Sequence, residues 1–302
     1  MSNHWGVTTL DDLIRKIDRK TNSPNNDNSY LKKLNEFLKN IENTYGKILT
    51  VAATFLLEDF NEKVEIRSGK NKEFAEYFEN MVRLRTKSKK YYLISLEYHK
   101  GYFIEIEYYY DKCDKKGCPI LIVGEPDGLN FEDKTNKARI YEIKSFNLSD
   151  FYTKSRSKGD ESLIKKVLNR VRTTSTQLTI YQYLLLKTKE LRLIENIGEI
   201  ESHGSIILYS TDIERLYDAR RIIKQNFNRI ISDSHKYDVY DLELRDEETI
   251  YMNGRNIYYF KIDFRTEYNQ KTISTYLNNL YVSLESLKLK DNVIYKDFLY
   301  FE

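Results

Sequence analysis

A chain of 302 residues, 40% hydrophobic and 31% charged, has enough apolar material for a real core and is not a disordered, tail-like sequence. Its 49 Lys and Arg against 46 Asp and Glu leave a net charge of +3, too small to argue a nucleic-acid partner without local clustering. No apolar run approaches the roughly 20 residues of a bilayer span. Residues 1–11 lack a basic segment followed by an apolar stretch, so the expectation is a soluble, intracellular (cytoplasmic) protein.

Thr8 and Thr9 precede an amphipathic stretch, 10–19, that reads as a short capped helix, and the polar run 21–29 reads as a linker. Helical spacing of apolar residues recurs over 31–41, 48–60 and 73–85. From Tyr91 the pattern turns to strand: Y-Y-L-I-S-L-E-Y and Y-F-I-E-I-E-Y-Y-Y flank His99, Lys100 and Gly101 as a hairpin. P-I-L-I-V-G (119–124) and A-R-I-Y-E-I-K-S-F (138–146) read as two more strands, rich in β-branched and aromatic residues, joined by a polar connection over 127–137. A helix over 162–189, a strand over 205–209 and a helix over 213–231 follow. Strand-like runs and a helix over 273–287 close the chain.

That order predicts an α/β layered protein around a central mixed β-sheet flanked by helices. The expected organisation is a helical N-terminal extension (1–45), a core (46–232) and an α/β C-terminal extension (233–302) packed on the core. Cys113 and Cys118 lie five apart with no complementary His or Cys pair at zinc-site spacing, so they read as a hairpin-tip disulfide or two free thiols.

The chemistry gathers in G-E-P-D-G-L (124–129) and Y-E-I-K-S-F (141–146). Side chains alternate faces along a strand, so Glu142 and Lys144 point one way and Tyr141 and Ile143 the other. If the two strands pair, Asp127 approaches Glu142. Two converging carboxylates repel unless a cation neutralises them, and oxygen ligands suit Mg²⁺ or Mn²⁺. Lys144 is a compact cation suited to orient a water or offset developing charge. Taken singly, Glu-x-Lys is often a solvated strand edge and Pro-Asp a turn. Gln177 and Tyr181, four apart on one helical face, add a third element; alone they would read as the rim of a core helix.

Together, Asp127, Glu142-Ile143-Lys144, and Gln177 with Tyr181 resemble the PD-(D/E)xK nuclease superfamily, in its Q-x-x-x-Y branch. That branch includes RecB-type nuclease domains, phage lambda exonuclease and CRISPR-associated iron–sulfur nucleases. The resemblance covers about residues 91–209 and implies a restriction-endonuclease-like core that cuts DNA. It implies metal ligation by Asp127, Glu142 and the backbone carbonyl of Ile143, catalysis by Lys144, and a site lined by Gln177 and Tyr181. The family also supplies an acid or histidine from an upstream helix; Glu58 is the first choice, with Glu76 and His99 as alternatives. Four cysteines would be needed for an iron–sulfur cluster, so none is expected.

Between the last two motifs stand seven basic residues, Lys154, Arg156, Lys158, Lys165, Lys166, Arg170 and Arg172, against Asp160 and Glu161. Such a run is usually a solvated face; its place beside the motif points to phosphate contacts with DNA. The expected activity is a Mg²⁺- or Mn²⁺-dependent deoxyribonuclease, exo or endo. The alternatives are an RNA nuclease or a non-catalytic binding or interaction module on the same scaffold, and a protein partner or self-association stays open.

Overall fold

Two β-sheets meet at a corner under one long helix in the computed structural model, which describes residues 8–21, 29–46, 48–53, 69–99, 117–132, 134–148 and 156–286. The first sheet holds β1 (Thr8–Thr9), β2 (Leu49–Ala52), β3 (Leu93–His99) and β4 (Cys118–Gly124), in the order β1-β2-β4-β3. β2 runs parallel to β4, and β3 antiparallel to it. Helices α1 (Leu10–Thr21) and α2 (Ser29–Tyr45) pack on each other beside it, each longer than its apolar spacing alone predicts.

Thr8 and Thr9, which directly precede α1, also pair with β2 as a short strand. One expectation fails here. The helix expected over 48–60 gives way to β2, in which Thr50 and Val51 are buried between β1 and β4. A short apolar run rich in β-branched residues has no periodicity to separate strand from helix, and sheet pairing decides it. Residues 54–68, including Glu58, lie outside the described residues, as do Cys113 and the expected second hairpin strand. His99 is the last residue of β3, opposite Cys118.

The second sheet holds β5 (Gly128–Glu132), β6 (Lys137–Asn147), β7 (Ile200–Ser210), β8 (Val239–Leu244), β9 (Glu248–Met252) and β10 (Arg255–Thr266). Its order is β5-β6-β7-β10-β8, with β9 also on β10; β6 and β7 are parallel and the other pairs antiparallel. The protein is therefore mixed α/β, and the strands after residue 233 belong to the same sheet as β7. β9 and β10 form a hairpin through Asn253 and Gly254, both at positive φ (52° and 78°), as a two-residue turn of this hand requires.

The polar connection expected over 127–137 is in fact mostly strand. β4 stops at Gly124, the chain bends through Glu125-Pro126-Asp127, and β5 starts at once against β6. Pro126 has no N–H to give a ladder, which suits the bend. On the outer side, the pairing Leu93↔Gly124 resumes one residue out of step as Lys89↔Leu129, with N–H···O contacts of 2.9 and 2.8 Å. The strands 119–124 and 138–146 thus do not pair; β5 takes that role.

Two helices cover opposite faces of β6. α4 (Arg156–Glu190) crosses both sheets, its Leu178, Leu184 and Leu185 joining Ala138, Ile140 and Ile122 in the main core. Burial of each such leucine contributes about 1.5–3 kcal/mol. α3 (Gly69–Thr86) brings Phe74 and Phe78 onto Ile143, Ile207, Tyr209 and Tyr259 on the other face. Expected as one helix, 213–231 divides into α5 (Ile213–Gln225) and α6 (Phe227–Ser234) at Asn226; α7 (Gln270–Ser286) packs on α4.

Candidate active site

The corner between the sheets sets Asp127 opposite Glu142, one residue beyond the last β5–β6 pair, Gly128↔Tyr141. The two residues bond reciprocally. Asp127 Oδ2 accepts the backbone N–H of Ile143 at 2.8 Å, and the Asp127 N–H donates to Glu142 Oε2 at 3.4 Å. The N–H and C=O of one residue leave a strand on the same side, so the Ile143 carbonyl faces the same open edge. Lys144 Nζ pairs with Glu142 Oε1, as their shared face predicts.

Glu142 is only 2% exposed, an unusual place for a carboxylate. Burial first, and then the Asp127 charge, push its pKa up to about 8 against the opposing pull of Lys144. Its neighbour on β7 is Gly204, across which the Phe264 ring lies where a Cβ would stand, so the buried acid has apolar walls as well as charged neighbours.

An acid missed in the sequence enters from α3. Glu79 lies beside Asp127 electrostatically: burial, then the Asp127 charge, raise its pKa to about 7, while Lys90, Lys144 and Arg83 oppose the rise. Arg83, one turn on, approaches Glu79 at 3.7 Å and donates to the Asp127 carbonyl at 2.9 Å. The available signal was an i,i+4 Glu–Arg pair at the edge of the apolar stripe containing Phe74 and Phe78. Glu76 is exposed on the same helix and is not among the groups that shift Glu79.

α4 closes the far side. Gln177 Nε2 donates to Tyr181 Oη at 2.9 Å, and both residues are buried. The Tyr181 hydroxyl reaches the Glu125 carbonyl at 3.5 Å, and burial, then Glu142, hold its pKa well above normal. The approach depends on Gly124, where a Cβ would meet Leu184 Cδ1 and Tyr181 Cε1 at 2.7 Å.

Of the seven expected basic residues, Lys154 lies outside the described residues, and Arg156 and Lys158 fall in the first turn of α4. Lys165, Lys166 and Arg172 are exposed; Arg170 is half-buried, two turns before Gln177 on the same stripe of α4. Glu161 is held by Arg229 at 2.7 Å.

Among the described residues, no three His, Cys, Asp or Glu side chains form a ready-made metal cage. A small hard cation does not require one: one or two carboxylates, a carbonyl and waters suffice for Mg²⁺. Asp127, Glu142 and the Ile143 carbonyl make a hard-oxygen donor set of that kind, with the Glu142 carboxylate buried beside Asp127. Among the described residues, no helix is long and apolar enough to cross a membrane. No known family, curated protein or solved structure matches the chain.

Proposed function

We propose that the chain is a metal-dependent nuclease that hydrolyses DNA phosphodiester bonds, with a restriction-endonuclease-like core of the PD-(D/E)xK type. The observation that carries this reading is the buried Glu142, joined through the Ile143 amide and the Asp127 carboxylate to one edge of the sheet, with Lys144 beside it. Three acids meeting three bases (Lys144, Arg83, Lys90) in a half-buried corner is a costly arrangement for folding alone, and such clusters of shifted groups concentrate at functional sites. Bound Mg²⁺ or Mn²⁺ supplies Lewis acidity toward a phosphate and a more acidic water.

The chain's own residues do the rest. Asp127, Glu142 and the Ile143 carbonyl offer the oxygen ligands, and Glu79 adds negative charge from α3. Lys144, beside Glu142, would offset the charge that develops on a phosphate oxygen. Gln177 and Tyr181 hold the wall of the site, and Arg170 stands on the same stripe for a phosphate.

Purified protein incubated with Mn²⁺ and single-stranded, duplex or flapped DNA should cleave at least one of them, and chelator should stop it. Intact DNA at high enzyme concentration overturns the proposal; cleavage of matched RNA alone would move the substrate to RNA.

A further inference from the structure

Beyond the acids lies a second charged feature, on the side of the corner away from α4. From the last turn of α3 to the start of β3 the chain reads R-L-R-T-K-S-K-K (83–90), five cations in eight residues and no acid. Lys87, Lys89 and Lys90 are exposed, and among the described residues none of the three makes an ion pair. Basic runs on a surface are commonly solvated and mobile. This one is held. Lys89 exchanges both backbone hydrogen bonds with Leu129 of β5, the Ser88 N–H returns to the Arg83 carbonyl at 3.0 Å, and Asn130 Nδ2 donates to the Thr86 carbonyl at 3.0 Å. Lys87 sits at φ 52°, a left-handed conformation that sharpens the exit from α3.

The anchoring strand matters. β5 begins one residue after Asp127, so the pairing that pins Lys89 also ties the basic segment to the acid corner. Lys90 is close enough to lower the pKa of Glu79, and Arg83 bonds the Asp127 carbonyl. The remaining cations exceed what the acids need: Lys87 and Lys89 figure in no shift of Glu79 or Glu142. A held row of exposed lysines beside a carboxylate corner, two of them with no part in offsetting its acids, suits a polyanion whose one phosphate lies at the corner and whose next phosphates continue outward.

We propose that Lys87, Lys89 and Lys90 form a second phosphate-binding surface that grips the nucleic-acid backbone on the side of the site opposite α4. This rests on the nuclease reading above and extends it: the substrate strand crosses the corner between the two basic flanks. Its ligand is the sugar–phosphate backbone, so the contribution is independent of base sequence.

The test is binding of a fluorescein-labelled DNA oligonucleotide across a salt series without divalent metal, alongside Mn²⁺-dependent cleavage. Lys87→Ala/Lys89→Ala/Lys90→Ala should weaken binding about tenfold or more at low salt. It should also reduce the slope of log affinity against log salt by about two to three, one for each lost phosphate contact. A control removing three exposed cations elsewhere, Lys224→Ala/Arg255→Ala/Lys271→Ala, should leave the slope unchanged; an equal loss in the control overturns the proposal as a mere net-charge effect. Circular dichroism and Tm verify folding of both, and the single Lys89→Ala variant gives about a third of the slope change if the triple is unstable. Wild-type cleavage with an unaltered slope in the triple variant overturns the second surface and leaves the nuclease reading standing. Lysine-dependent binding without cleavage does the reverse, and absence of oligonucleotide binding by the wild type overturns the second surface, while the Mn²⁺ cleavage assay decides the nuclease reading by itself.

Discussion

The backbone N–H of Ile143 donates to the carboxylate of Asp127 at 2.8 Å, fastening the corner of one strand to the middle of the next. Asp127 therefore has two separable duties: it satisfies a strand amide and it supplies charge. Asp127→Asn keeps an acceptor for the amide and removes the charge, so cleavage should fall at least about 100-fold while Tm changes little. Asp127→Ala should lose the same activity and also about 1–3 kcal/mol of stability, from the orphaned amide. Denaturant melts of the two variants, with cleavage assays in Mn²⁺, check both; equal stabilities would show that the hydrogen bond is dispensable.

Much of this site is legible in the sequence, and the failures have physical causes. Strand alternation is enough to put Glu142 and Lys144 on one face, and helical spacing is enough to join Gln177 to Tyr181. The partner strand is hidden because G-L-N-F-E carries Gly128 and Asn130, which signal a loop; its alternating Leu129 and Phe131 become visible only once β6 and Lys89 flank it. β2 lies in a stretch whose apolar spacing over 48–60 also fits a helix, and only pairing with β1 and β4 decides for strand. Asn253-Gly254 is a strong hairpin signal, and it is what sets β9 against β10. Glu79 could not be singled out from Glu76 without knowing which side of α3 meets the corner.

That distinction gives a direct comparison. Glu79→Gln should weaken Mn²⁺ affinity about 10- to 100-fold and lower cleavage, since it removes a carboxylate charge beside Asp127 while conserving shape. Glu76→Gln on the exposed face should alter neither. Calorimetric titration with Mn²⁺ reads the difference, and matching affinities would remove Glu79 from the site.

Close approach of α4 to β4 makes a packing prediction. A methyl at Gly124 would stand 2.7 Å from both Leu184 and Tyr181, so Gly124→Ala forces the helix or the ring to move. Overpacking of this kind costs about 1–3 kcal/mol. The displaced ring also disturbs the Tyr181–Gln177 bond, so activity should fall more than in a distant variant of equal Tm, such as a trimmed side chain in the α1–α2 pair. Cleavage rates compared at matched folded fraction test this.

The raised carboxylates predict a pH dependence with a definite sign. Glu142 ionises near its ordinary 4.5 in the unfolded chain and at about 8 in the fold, so between those values the folded state holds the extra proton. Its contribution to stability is therefore fully present below about 4.5 and is lost as pH rises toward 8, with a slope of at most about 1.4 kcal/mol per pH unit. Glu79, raised to about 7, adds to the fall in the lower part of that window. Metal-free protein should lose Tm from pH 5 to pH 8, and Glu142→Gln should flatten the decline. Adding Mg²⁺ or Mn²⁺ should restore Tm most at the alkaline end, where the carboxylates are ionised and the cation replaces the missing protons. A Tm that rises through this interval in metal-free protein, or a Glu142→Gln profile parallel to wild type, would remove Glu142 as the buried acid that a cation is needed to discharge.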